Sequence, residues 1–89
     1  MNAVVTVTGK DRKGIIARTS GYLADNNINI LDITQTILQD IFTMVMLVDI
    51  KDCKIDFKTL SANLSEIGDE LGLEIRIQHE DIFNSMHRI

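Results

Sequence analysis

Residues 2–8 (NAVVTVT) alternate apolar and polar side chains, are rich in β-branched residues and stop at Gly9, which predicts a first strand. Residues 14–26 (GIIARTSGYLADN) change to helical spacing, with Ile16, Ser20, Leu23 and Asn27 on one stripe. Gly21 would let this helix approach whatever lies beneath it, and Asn26-Asn27 is a stop signal. From 29 to 39 the pattern is again strand-like, with Leu31, Ile33 and Ile37 on one face and Asp32, Thr34 and Thr36 on the other. Residues 41–51 (IFTMVMLVDIK) make the most apolar strand of the chain, and Gln39-Asp40 before it predicts a tight hairpin. Asp56 then reads as an N-cap, followed by Phe57, Leu60, Leu64, Ile67 and Leu71 at three- and four-residue spacing, with Gly72 closing the helix. Lys58, Asn63, Glu66, Asp69 and Glu70 fall mostly on its wet side. Leu73, Ile75 and Ile77 alternate with Glu74, Arg76 and Gln78 in a last strand, and DIFNSMHRI can add a short terminal helix.

The order is β-α-β-β-α-β, an α+β arrangement of the ferredoxin-like kind, in which two helices cover one face of a four-stranded antiparallel sheet. With no proline, no Gly/Ser linker and no repeat, residues 1–89 read as one domain, with 81–89 as its tail. Such a sheet has a bare face. The third strand is apolar on both sides, since Phe42, Met44, Met46, Val48 and Ile50 make one face and Ile41, Val45 and Leu47 most of the other. A strand of this kind expects cover on both faces. A second subunit, giving a homodimer, is the expected cover; the alternative is the tail folding back with Ile82, Phe83 and Met86 inward.

Composition narrows the function. A chain of 89 residues with 45% hydrophobic and 25% charged residues folds as one small core, burying roughly 60–65% of its unfolded surface. A formal net charge of -4 argues against nucleic acid, whose binders carry basic stripes. No apolar run approaches a membrane span and no basic segment precedes one at the N-terminus, so the expectation is a cytoplasmic protein with no membrane partner. The lone Cys53, between Asp52 and Lys54, reads as an incidental thiol.

The stretch TGKDRKGIIA, Thr8 to Ala17, holds the most suggestive chemistry. Gly9 and Gly14 have the spacing of an NTPase phosphate loop, but Ile15-Ile16 stand where lysine and a hydroxyl would have to be. A dinucleotide fingerprint is absent too. There is left a helix opening at Gly14, whose free N–H groups and dipole favour a carboxylate, beside Asp11, which can accept from an ammonium group. Lys10, Arg12 and Lys13 add positive charge around the mouth. A carboxylate and an ammonium held together describe an amino acid. The bland alternative is a solvated turn capped by Asp11.

These residues resemble the ACT domain, a small ligand-sensing module of amino-acid metabolism: Asp11, Gly14, the aliphatic pair Ile15-Ile16, and a later strand opening Asn29-Ile30. The likeness runs from Met1 to about His79, and the ending EDIFNSMHRI is similar to that of small stand-alone prokaryotic ACT proteins, themselves similar to the N-terminal half of the glycine cleavage repressor. The resemblance implies a ligand site where the loop after strand one of one subunit meets strand two of its dimer mate. By position, Asp11 and Asn29 would contact the ligand amino group, with the Gly14-Ile15 backbone facing its carboxylate and Ile30 beside them. The family's serine site has a histidine where this chain has Gly9, and an asparagine where it has Asp11, so serine is not the implied ligand.

Other constellations are weaker. His79 and His87, with Glu80 and Asp81, suggest a transition metal only faintly, because a third strong ligand is missing. Met44 and Met46 read as packing rather than metal ligands. Base stacking needs aromatic residues on the open sheet face, and only Phe42 falls on a strand. No nucleophile sits beside a base, so no enzyme, cofactor or resident metal is expected. The sequence supports a non-catalytic amino-acid sensor. The alternative is a protein-interaction or metal-responsive module that binds no amino acid and docks a protein partner through its acidic second helix and tail.

Overall fold

The computed structural model describes residues 1–10 and 13–86. Four strands and three helices lie in the expected order: β1 (Asn2–Lys10), α1 (Ile15–Asp25), β2 (Asn29–Leu38), β3 (Ile41–Asp49), α2 (Phe57–Leu71), β4 (Leu73–His79) and α3 (Glu80–Met86). The strands form one antiparallel-paired sheet in the order β2-β3-β1-β4, so β1 and β3 are central and β2 and β4 are edges. β1 runs two residues past its expected end. Gly9 does not break it but passes through, opposite Phe42 on one side and Leu73 on the other.

The register sorts the sheet into two sides. Val5 and Val7 of β1 align with Met46 and Met44 of β3 and with Ile77 and Ile75 of β4, and all of them are buried beneath the helices. These rows, with Leu23, Leu60, Leu64 and Ile67 from the helices, make the core. At roughly 1.5–3 kcal/mol for each fully buried aliphatic side chain, this core is the main favourable term in folding.

α2 forms as its pattern predicts. Its N-cap is Asp56, whose carboxylate accepts from the Thr59 amide at 3.1 Å, and it ends at Gly72 in the left-handed conformation, φ 72°. Hydrogen bonding by the Thr59 side chain, and then by its backbone amide, holds the Asp56 carboxyl below its ordinary value of 3.8. A carboxyl depressed by folding stabilises above the unfolded pKa, and that stabilisation is lost as pH falls through the folded one. Asp56→Asn is therefore expected to lose less of its thermal stability than the parent between about pH 5 and pH 2.5, as read by melting temperature across that range.

α1 departs from the expected stripe. Its buried residues are Ile15, Thr19 and Leu23, continued by Ile28 after the helix, whereas Ile16 is 42% exposed, Ser20 only half-buried and Asn27 exposed. The pair Ile15-Ile16 allows either phase. The phase taken keeps Ser20 and Asn27 out of the core at the cost of burying Thr19. Thr19 Oγ1 is the one buried side-chain oxygen or nitrogen without a hydrogen-bond partner among the described residues. Thr19→Val, which removes that hydroxyl at nearly constant shape, is expected to raise stability by about 1 kcal/mol, or some 4–8 °C in melting temperature. Gly21 is also not the point of close approach: a Cβ there would meet nothing within 4 Å. That role belongs to Gly68 in α2, where a Cβ would lie 2.7 Å from the Leu73 carbonyl oxygen.

The side of the sheet away from α1 and α2 is partly covered. α3 packs against β1 and β4, and Gln78 Nε2 on that side donates to Met86 Sδ at 3.3 Å. Val4 shares this side with Thr6 and Thr8, yet is buried, because α3 lies over its end of β1. The described part of the tail, α3, thus folds back over β1 and β4. Of its three apolar residues only Phe83 is half-buried; Ile82 and Met86 remain 51% and 66% exposed.

β2 is the other uncovered region. Apart from Ile30 its residues are exposed, including Ile33 and Ile37, which stand opposite buried Met46 and Phe42 but lie beyond the reach of the helices. A bulge between Ile30 and Asp32 removes Leu31 from the alternation, so the expected row of Leu31, Ile33 and Ile37 begins only at Ile33. The hairpin to β3 is the expected two-residue turn, with Gln39 at φ 59°.

Candidate functional site

Gly14 is the N-cap of α1, at φ 87° and ψ 0°, and a Cβ on it would meet nothing within 4 Å. Glycine is needed there for the left-handed backbone and not for space. Arg18 N–H donates to Gly14 O at 2.9 Å, the first bond of the helix, so the amides of Ile15, Ile16 and Ala17 precede any intrahelical acceptor. Ile15 anchors this turn in the core at 2% exposure, while Ile16 stays outside beside the free amides. Sequence periodicity places Ile16 in the core instead. The signal that could free it is the doublet itself, since only one of two adjacent helical residues can face the sheet. Lys10 and Lys13 flank the turn and are exposed, giving it local positive charge in an acidic protein. Asp11 and Arg12 lie outside the described residues.

The second half of the expected site is Asn29-Ile30. Asn29 is exposed at the start of β2 and pairs with Asp49, while Ile30 is half-buried against the core. Asp49 in turn pairs with Asn2, the first residue of β1. Asn29 therefore stands at the β1-start end of the sheet and Gly14 just beyond the β1-finish end. About eight strand steps at about 3.3 Å separate those ends by roughly 26 Å. Within one protomer the fold keeps Gly14-Ile15 together and Asn29-Ile30 together, but not the two pairs.

A family model described as an ACT domain matches residues 2–78. The chain belongs to the ACT domain family. The ACT domain here is 57% identical over 86 residues to a UPF0237 protein of Methanocaldococcus jannaschii, a match covering 97% of this chain and 96% of that one. Among solved structures, an ACT domain protein from Streptococcus pneumoniae superposes with a TM-score of 0.82 at 43% identity, covering 93% of each chain. A structure described as a putative glycine cleavage system transcriptional repressor shares the fold, with a TM-score of 0.73 at 22% identity over 86% of this chain and 44% of that one.

Elsewhere on this ACT domain the candidates have local explanations. A concavity of about 640 Å³ lies between α1 and α2, and Gly14 is not among its lining residues. Four of its polar side chains pair with one another, Asn63 Nδ2 donating to Tyr22 Oη at 2.8 Å and Arg18 Nε to Glu70 at 3.0 Å. His79 stacks on Phe57, centroids 4.1 Å apart and planes at 18°, which ties the end of β4 to the start of α2. His87 lies outside the described residues, and among those described no three His, Cys, Asp or Glu side chains converge as metal ligands. No helix among the described residues is long and apolar enough to cross a membrane.

Proposed function

We propose that this ACT domain is a non-catalytic regulatory module that binds an amino acid or similar small carboxylate in the seam between two copies. The observation that carries the reading is the separation of Gly14 and Asn29 to opposite ends of the sheet, on a domain whose β2 edge is exposed. A two-fold axis that sets β2 antiparallel to its counterpart brings the start of one β2 beside the finish of the other. Asn29 then faces the end of the sheet where the partner's Gly14 opens α1. Each seam holds two equivalent sites, neither complete in one copy. The ligand carboxylate rests on the first-turn amides, and Asp11 and Asn29 take its ammonium group; Ile16 and Ile30 offer apolar contact.

The two edges differ in a way that supports β2 as the seam. β4 carries Glu74 and Arg76, ion-paired to each other, a charged guard of the kind that discourages strand addition. The second half of β2, Thr34–Leu38, is uncharged, and its Ile37 and Leu38 are 54% and 73% exposed. Occupancy regulates only if the ligand favours one arrangement of the pair over another, because equal affinity for both shifts nothing.

Calorimetric titration of the parent against the twenty amino acids tests the reading. One or a few are expected to bind, and Asn29→Ala and Asp11→Ala are each expected to weaken that binding at least about tenfold, roughly 1.4 kcal/mol. Silence across the panel from a correctly folded protein rejects it, as does full binding by both variants.

A further inference from the structure

The amides at Gly14, with Asp11 and Asn29, serve the two charges common to every amino acid, and leave its side chain to be placed. The helix phase and the sheet register place it. On α1, Arg18 and Tyr22 reach α2 through Glu70 and Asn63, and lie on one flank of the buried stripe Ile15, Thr19 and Leu23. At about 100° per residue, Ile16 lies on the other flank. α2 packs on β4, at the far edge of the sheet, so the flank that carries Ile16 faces β2.

β2 meets that flank with carbon. Ile37 stands opposite Phe42, which is buried beneath the helices, so Ile37 lies on their side of the sheet and is 54% exposed there. The same row continues through Gly9 to Leu73. A Cβ on Gly9 would lie 2.5 Å from Leu73 Cδ2, so leucine carbon already fills the place from which a side chain at position 9 could offer a polar group. Polar neighbours on the strands face the other way: Lys10 pairs with Ile41 and Thr36 with Thr43, in the opposite phase of the alternation. Ser20 shares the flank of Ile16, one turn on, but its hydroxyl donates to the Ile16 carbonyl at 2.6 Å. Gln35 is the next residue of β2 on the helix side, about 7 Å further from the Gly14 end.

We propose that the site takes an amino acid with an aliphatic side chain, of the size of valine, leucine or isoleucine, held between Ile16 on the helix and Ile37 on the strand with Phe42 beneath. The proposal rests on the two-copy site and adds to it the class of ligand. In the seam the partner's Ile30 closes the same corner, because it comes from the strand start that lies beside Ile37. A side chain carrying a hydroxyl, an amide or a charge would lose water there and find no partner for it. Each aliphatic carbon buried there instead tightens binding about fourfold.

Calorimetric titration of the full chain with alanine, valine, leucine, isoleucine, serine, aspartate, glutamate and lysine tests the class. The best of valine, leucine and isoleucine is expected to bind at least about tenfold more tightly than alanine, and serine no more tightly than alanine. Ile16→Ala and Ile37→Ala are each expected to lower the ratio of that aliphatic affinity to the alanine affinity at least about fivefold. A general loosening of the site would weaken both ligands alike and leave the ratio where it was. Light scattering and circular dichroism check pairing and folding, and Ile16→Ala, off the strand, decides the matter should Ile37→Ala loosen the pair. Tightest binding by serine, aspartate, glutamate or lysine, abolished by Asn29→Ala, keeps the two-copy site and overturns the aliphatic class. An aliphatic preference that neither variant reduces overturns the pocket between Ile16 and Ile37. Silence from every amino acid rejects the site and this proposal with it.

Discussion

Gly68→Val is expected to lower stability by about 3 kcal/mol or more, the upper end of what overpacking a core costs. Position alone would suggest the opposite sign at its smallest step, because glycine inside a helix is about 1 kcal/mol worse than alanine. Gly68 is buried, however, and its missing Cβ would stand 2.7 Å from the Leu73 carbonyl oxygen and 3.2 Å from the Ile75 backbone nitrogen. Those are backbone atoms of β4, held by its pairing with β1, so the strand cannot yield without losing register. Valine adds two more carbons to a space too small for one. A domain of this size has on the order of 5–10 kcal/mol to lose, so urea denaturation monitored by circular dichroism should show a clear drop in midpoint. Gly68→Ala should fall in the same direction by less. A midpoint at or above the parent's for both would mean that β4 does not pack on α2 as described.

Ile33→Glu is expected to produce the largest functional loss. In one copy the change is mild, since Ile33 is 42% exposed and a glutamate there reaches water. Across the proposed seam the same side chain lies near its own counterpart, so two carboxylates are brought together and desolvated, and an apolar contact is lost twice. The solution mass should halve, and because each ligand site needs both copies, amino-acid affinity should fall by at least about 100-fold, roughly 2.7 kcal/mol. A variant that halves in mass yet binds as tightly as the parent would place the ligand site within a single copy. Melting temperature within a few degrees of the parent would show that the fold itself was spared.

The element order and most element boundaries were legible because they rest on local chemistry. The Asp56 cap and the Gly72 stop bracket α2, the alternation of Leu73, Ile75 and Ile77 fixes β4, and Gln39-Asp40 makes the hairpin. The misleading places were those where only packing resolves an ambiguity. Ile15 and Ile16 are equally apolar, and the choice between them is set by residues further along the helix, where one phase buries Thr19 and the other would bury Ser20 and Asn27. Gly21 and Gly68 look alike in sequence, yet only Gly68 lies under a strand, because α2 and not α1 is the helix that leads directly into β4. The Leu31 bulge left no mark in the alternation. Of the site, the residue types around Gly14 and Asn29 could be read directly. Their placement at opposite ends could not, because it arises from β1 and β2 flanking β3 and running parallel to each other, a property of the whole sheet.

The strand order also governs how the molecule comes into being. The first strand made is one of the two innermost, and it waits for its second neighbour until residue 73 and beyond have been synthesised. Until then a growing chain presents Val4, Val5 and Val7 along an unsatisfied border, open to mispairing with any passing extended segment. Closure is therefore a late, long-range event, of the class that folds slowly for its length. A chain cut short before Leu73 would stay an open-bordered fragment, so the last strand acts as a checkpoint on completeness.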